Sequence, residues 1–255
     1  MINKTTIKMI VTDLDGTLLR TDKTISEYTV SVLRRFRDRG VKVTYATARG
    51  GTANEVAPAE YFDARIVMNG ALALMNDTIV YRCLIPFQIA RPLLMACNER
   101  GLKITSEISG MHYSNFIVSD LWSNITNYKI TDFSKHSLDA EKLYTRTDNQ
   151  GDLKFIEDNL PEDLYLSVSR DGLVMIMHKD ATKSKAISKL ARFWDVSQSE
   201  IVVFGDDLND IDMLSSTGFS VAMGNAIPAV KAAADYICDT NDNDGVAKWL
   251  EENVL

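Results

Sequence analysis

The run Ile7 to Thr12 is apolar and rich in β-branched residues, so it reads as a buried strand. A helix is expected next, opened by a Ser26 cap and running to about Arg39, where Gly40 stops it. Val41 to Thr47 predicts a second strand and Arg65 to Met68 a third. Between them, Gly51 to about Tyr61 predicts a helix broken at Pro58. Leu72–Met75 and Thr78–Arg82 flank Asn76 and Asp77, the pattern of a tight hairpin.

The middle of the chain changes character. Pro86 to Arg100 predicts a helix ended by Gly101. Short strands are expected at Lys103–Ser106, His112–Val118, Tyr165–Ser169 and Leu173–His178, with helical pieces near Asp139–Tyr144 and Asp152–Asn159. Arg170-Asp171-Gly172 reads as a hairpin turn between the last two strands. From Thr182 the strand–helix alternation resumes: helix to Trp194, strand Ile201–Phe204, helix Asp210–Ser216, strand Phe219–Ala222, helix Ala229–Ala234. Short βα units imply a parallel sheet with right-handed crossovers. The expected fold is therefore α/β: a Rossmann-like parallel-sheet core, residues 1–83 and 180–255, with an α+β domain, 84–179, inserted between its halves.

Composition narrows the setting. The 255 residues suffice for a sizeable core or two lobes, and 45% hydrophobic with 25% charged residues is ordinary for a globular chain. The net charge of −7 argues against a nucleic-acid partner but leaves room for a small phosphorylated one, which a local Lys and a cation can hold. Cys83, Cys97 and Cys238 are widely spaced and form no C-x-x-C pair, the usage of reduced thiols. The N-terminus has no basic-then-apolar leader pattern, and no apolar run approaches the ~18 residues of a membrane span. A cytoplasmic protein with no membrane partner is the expectation; oligomeric state is not legible.

Candidate chemistry gathers where strands end, which is where open parallel sheets bind ligands. Asp13 and Asp15 close the first strand, and residues i and i+2 of an extended chain point the same way. Two carboxylates so placed call for a cation or a shared proton, and Gly16 permits a sharp turn behind them. Thr47 and Arg49 end the second strand, Lys183 opens the helix after the insert, and Gly205-Asp206-Asp207-Leu208-Asn209-Asp210 follows the Ile201–Phe204 strand.

In order and spacing these segments resemble the four motifs of the haloacid dehalogenase-like superfamily, specifically its Cof-type phosphatases. Asp13-Leu14-Asp15-Gly16-Thr17 resembles the first motif, the Thr47 segment the second, Lys183 the third, and the Gly205–Asp210 run the fourth. Thr47-Ala48-Arg49 departs from the family's frequent T-G-R. Only 34 residues separate Asp13 from Thr47, whereas 136 separate Thr47 from Lys183, so the insert is similar to the second (C2) cap class.

The resemblance implies a phosphatase in which Asp13 forms an aspartyl-phosphate and Asp15 acts as general acid and then base. That work requires a raised Asp15 pKa. Thr47 and Lys183 would hold phosphoryl oxygens. Mg²⁺ would sit on Asp13, the Asp15 carbonyl and Asp206, with Asp210 or Asp207 close by, and Asn209 orienting that shell. Ala48, Arg49, Asn69, Gly70, Asn209 and Lys183 are expected on the substrate, a small phosphorylated metabolite, sugar phosphate favoured. The cap is expected to close over the site, with hinges near 83–86 and 178–181. The alternatives are a phosphotransferase or mutase on the same fold, or a non-catalytic phospho-acceptor of the receiver type. Receivers are about half this length and lack an acid/base Asp two residues after the acceptor. Dehalogenation is disfavoured because it needs neither Asp15 nor a metal.

Weaker signals have simpler readings. Thr240 to Glu251 nearly spells a calcium-binding loop, but Thr240 stands where Asp is needed, and Asp244 capping the terminal helix accounts for the same letters. His112, His136 and His178 show no ligand spacing, and Tyr113, Trp122 and Tyr128 read as packing residues of the insert.

Overall fold

The computed structural model describes residues 7–76, 78–168 and 172–254. Residues up to Arg82 together with those from Thr182 form one compact unit, and Cys83–Ala181 forms another. In the first, β1 (Met9–Thr12) is followed by α1 (Glu27–Asp38), β2 (Lys42–Ala46), α2 (Ala53–Val56), β3 (Ala64–Val67), β4 (Leu72–Met75) and β5 (Thr78–Arg82). The second holds α3 (Phe87–Glu99), β6 (Thr105–Ile108), β7 (Met111–Ser114), β8 (Tyr128–Ile130), β9 (Lys142–Arg146), α4 (Gln150–Asp158), β10 (Leu164–Val168) and β11 (Leu173–His178). The chain then re-enters the first unit with α5 (Lys183–Phe193), β12 (Ile201–Gly205), α6 (Ile211–Leu214), β13 (Phe219–Ala222), α7 (Pro228–Ala233), β14 (Tyr236–Ile237) and α8 (Gly245–Asn253).

The first unit is a mixed α/β fold around an eight-stranded sheet, ordered β14-β13-β12-β1-β2-β3-β4-β5, parallel except for the β3-β4-β5 edge. Successive strand residues face opposite sides, yet all four of β1 are buried, so helices cover both faces. Central β1 pairs with β2 and β12 in parallel, and the loops leaving these three strands lie at one end of the sheet. Helix α1 begins where Ser26 Oγ accepts the Thr29 N–H at 3.0 Å and buries Val32, Leu33 and Phe36. Pro58 does break the next segment, leaving α2 and a single 3₁₀ turn, Ala59–Tyr61. Strands β4 and β5 pair antiparallel; Asp77 of the expected turn, like Arg170 and Asp171 of the other one, lies outside the described residues.

The second unit is a six-stranded sheet, β10-β11-β9-β6-β7-β8, antiparallel except for β7 with β8. One face packs on α3 and α4 through Leu93, Leu94, Cys97, Leu143, Ile156, Val174 and Ile176. One expectation fails here. Asp139–Tyr144 is no helix but leads into β9, which pairs with both β6 and β11. Leu143 alternates into the core while Lys142, Tyr144 and Arg146 take the other face, and that two-sided pairing overrides the helix-forming letters. No helix among the described residues is long and apolar enough to cross a membrane.

Candidate active site

The chain turns sharply after β1 because Gly16 adopts φ +82°, and a Cβ there would run into the Asp206 carboxylate. The turn is tied on both sides. Thr17 donates its hydroxyl to Asp206 Oδ1 at 2.7 Å, and Asn225 Nδ2 donates to the Gly16 carbonyl at 2.7 Å. Asp13 itself is fixed by its N–H to the Phe204 carbonyl, a rung between β1 and β12 at 2.9 Å.

Lys183, buried at the first turn of α5, donates to Asp13 Oδ1 and to Asp210 Oδ1, both at 2.6 Å. Asp210 spends its other oxygen on the N–H groups of Asp206 and Asp207 at 2.9 and 3.1 Å, closing the loop after β12. Asp13, Asp206 and Asp210 each bring a carboxylate oxygen to within 4.8 Å of the others. Fully ionised, three carboxylates against one ammonium would carry a net −2 in a largely buried place.

The electrostatics follow. Burial raises Asp13 above its ordinary value, Asp210 and Asp206 add to this, and Lys183 only partly offsets it. Burial likewise pushes Asp206 up to about 6 against the Thr17 hydrogen bond, helped by Asp210 and Asp207. Burial works against the Lys183 ammonium, but Asp13 and Asp210 outweigh it and hold the proton on.

Among the described residues, Asp13 Oδ2 and Asp206 Oδ2 accept no hydrogen bond, so two carboxylate oxygens stand open in a cluster with more carboxylates than cations. An all-oxygen donor set with few protein ligands fits Mg²⁺, which keeps waters and shares phosphate oxygens. Asp207, expected beside such an ion, instead turns outward at the start of a 3₁₀ turn, where its Oδ1 accepts the Leu208 N–H at 2.8 Å.

Asp15 differs from its expectation. Arg49 grips it with two bonds, Nε to Oδ2 at 2.6 Å and an Nη to Oδ1 at 2.7 Å, and Lys23 Nζ donates to Oδ1 at 2.8 Å. Partial burial would raise its pKa, but Arg49 and Lys23 outweigh burial and bring it to about 2, the reverse of the raised value expected. Arg49, expected on substrate, is thereby committed to Asp15.

Thr47 is buried, its N–H on the Ile66 carbonyl and its hydroxyl accepting from the Arg49 N–H at 3.2 Å. Ala48 lies in the short turn that this contact closes. The Thr47 and Arg49 carbonyls accept from the Asn69 and Met68 N–H groups, which bends 68–70 through three consecutive positive φ angles. Gly70 is required there, because a Cβ would collide with the Thr182 carbonyl at the root of α5. Asn69 in turn accepts from Asn209 Nδ2 at 3.1 Å. The second, third and fourth segments thus converge beside Asp13.

Two residues of this arrangement were not anticipated, Lys23 and Asn225, and Thr17 was placed in the first motif without a role. Asn225 had a signal, since it follows β13 at the same end of the sheet as the other clusters. Lys23 had none. The calcium-like loop is absorbed by the fold: Asp242 accepts twice from Thr21, Asp244 binds Arg20 and Thr29, and Glu251 takes Tyr28 and Arg35. Asp244 makes no side-chain cap to α8. The histidines are likewise engaged: His178 Nδ1 accepts from the Asp180 N–H, His112 Nδ1 lies 2.9 Å from the Tyr144 hydroxyl, and His136 packs on Phe133. Trp122 packs edge-on against Tyr144.

The family model for haloacid dehalogenase-like hydrolases matches residues 10–250. A 5-amino-6-(5-phospho-D-ribitylamino)uracil phosphatase of Bacillus subtilis is 28% identical over 98% of this chain and 96% of its own. A phosphatase of the same name from Escherichia coli is 26% identical over 96% of each chain. Among solved structures, a haloalkanoate-superfamily phosphatase from Bacteroides thetaiotaomicron superposes with a TM-score of 0.83 at 26% identity, covering 98% of this chain and 96% of the other.

Proposed function

This chain belongs to the haloacid dehalogenase-like hydrolase family and is a phosphatase of it; from that premise we propose that it hydrolyses small phosphate monoesters with Mg²⁺ through phosphoryl transfer to Asp13. The observation that carries the reading is the Asp13 carboxylate, one oxygen held by Lys183 and the other open, at the end of β1 beside Asp206 and Asp210.

In the first step an Asp13 oxygen attacks phosphorus, the bond from phosphorus to the ester oxygen breaks, and that oxygen takes a proton from Asp15, which the dianionic phosphate must first help to protonate, since Arg49 and Lys23 hold it ionised in the free site. In the second, Asp15 removes a proton from water, the water oxygen attacks phosphorus, and the bond to Asp13 breaks to release phosphate. Lys183 and the Thr47 hydroxyl face the phosphoryl oxygens and offset charge as it develops. Asp13 and Asp206 would hold Mg²⁺, whose charge supplies Lewis-acid stabilisation of the phosphoryl oxygens. Asp210 positions Lys183 and the Asp206 backbone, Arg49 positions Asp15, and the Asn69–Asn209 pair with Gly70 shapes the wall beside them.

The substrate class we propose is the phosphate ester of a polyhydroxylated small molecule, with sugar phosphates first. The named activity of the Bacillus and Escherichia relatives, on a phosphorylated ribityl chain, supports this choice. The test is phosphate release from a panel of sugar phosphates, phosphoribitylaminouracil, pyridoxal phosphate and flavin mononucleotide, with Mg²⁺ and with EDTA. Mg²⁺-dependent release, absent in Asp13→Asn, supports the reading; release unaffected by EDTA or by that variant contradicts it.

A further inference from the structure

Lys23 stands at the tip of a turn that is held more firmly than an exposed loop requires. It adopts φ +67°, a left-handed conformation in which a side chain is uncommon and which persists only when its surroundings enforce it. The enforcement is visible. The Arg20 N–H binds the Thr24 carbonyl and the Lys23 N–H binds the Arg20 carbonyl, both at 2.9 Å. The Asp22 carboxylate accepts from the Thr24 N–H and hydroxyl. The turn is also bolted to a distant part of the chain, with Arg20 on Asp244 and Thr21 giving two hydrogen bonds to Asp242.

From this fixed base the Lys23 side chain reaches Asp15 Oδ1 at 2.8 Å. Its side chain is 50% exposed, and an ion pair so wetted adds little to stability. The contact is therefore poorly explained as a staple, and its effect falls on Asp15. A carboxylate offers about four acceptor positions, two on each oxygen. Arg49 fills one on Oδ2 and one on Oδ1, and Lys23 fills the second on Oδ1. The one left open is on Oδ2.

Resting on the phosphatase reading above, we propose that Lys23 is a positioning residue: it closes Oδ1 of Asp15 and confines proton exchange with the leaving oxygen and with water to Oδ2. Arg49 alone fixes the plane of the carboxylate but leaves Oδ1 with an open position. Lys23 supplies the selection between the two oxygens, and the clamp on Asp242 and Asp244 supplies the rigidity that selection needs.

The test compares full-length wild type, Lys23→Met and Lys23→Arg with Mg²⁺, on p-nitrophenyl phosphate and on the fastest alkyl phosphate of the panel. An alkoxide leaving group needs the Asp15 proton, whereas nitrophenolate leaves without it. Lys23→Met should lower kcat on the alkyl ester about tenfold, part of what general acid catalysis supplies. Its KM and Tm should stay unchanged. Single-turnover phosphorylation by p-nitrophenyl phosphate should stay within about twofold of wild type, and Lys23→Arg should restore the alkyl rate. A wild-type alkyl rate in Lys23→Met, an equal loss in single-turnover phosphorylation by p-nitrophenyl phosphate, or no recovery in Lys23→Arg would overturn the proposal. A wild type that releases no phosphate, indistinguishable from Asp13→Asn, would fail the phosphatase reading itself and take the Lys23 role with it.

Discussion

Lys183 Nζ lies 2.6 Å from Asp13 Oδ1 although 170 residues separate the two along the chain. The insertion of an entire second unit between them leaves this contact in place, because β1 and α5 belong to the same sheet unit. The same ammonium also holds Asp210, so one cation organises two of the three clustered carboxylates.

Removing that ammonium leaves two buried carboxylates facing each other. Lys183→Met is expected to lose about 3 kcal/mol of stability in urea unfolding with EDTA present, the usual scale for breaking a buried ion pair. Mg²⁺ should return part of the stability but not the turnover, since the proposed mechanism also needs Lys183 on the phosphoryl oxygens. Wild-type stability in EDTA would show that the pair holds no structural weight.

Gly16 has two reasons to be glycine, a positive φ and the Asp206 carboxylate where its Cβ would stand. Gly16→Ala should cost about 1 kcal/mol in strain and, more sharply, displace Asp206, so that Mg²⁺ no longer raises Tm. Gly40 also has a positive φ but open space around it, and Gly40→Ala should show the strain without the metal effect.

Asp206 fixes the sign of a pH effect. Its carboxyl is raised from 3.8 to about 6 in the folded, metal-free protein, by burial first, so the unfolded chain ionises it earlier than the folded one does. The stability this group contributes is full below pH 3.8 and declines as pH rises through about 6. A cation reverses the penalty by binding the ionised form. The Tm gain from Mg²⁺ should therefore grow as pH is raised through about 6 and be small below it, as read by thermal melts with Mg²⁺ and EDTA in parallel. A gain independent of pH across that range would remove Asp206 from the metal site.

What was legible in the chain was what is local. The end of β1, the Gly16 turn and the Ser26 cap are written in adjacent letters, and the strand-end rule then gathers Asp13, Thr47, Lys183 and Asp206 at one edge. What was not legible depends on partners that meet only in three dimensions. The letters around Glu141, Lys142 and Leu143 suit a helix, and only pairing with β6 and β11 makes them a strand. Asp15 looked like an acid awaiting a raised pKa, because nothing in the sequence says that Arg49 and Lys23 will close on it from two different loops. Strand β14, two residues long, is too short to leave a period.

The central claim is that Asp13 carries the phosphoryl group and Asp15 lets it go, and Asp15→Asn separates the two. Asparagine keeps the shape of the side chain but cannot take the proton of the attacking water, so the second step should stall. With Mg²⁺ and p-nitrophenyl phosphate, whose leaving group needs no proton, peptide mapping by mass spectrometry should find Asp15→Asn phosphorylated on Asp13, and the double variant Asp13→Asn, Asp15→Asn unmodified. Full turnover by Asp13→Asn, or a trapped phosphoryl group on any residue other than Asp13, would contradict the account.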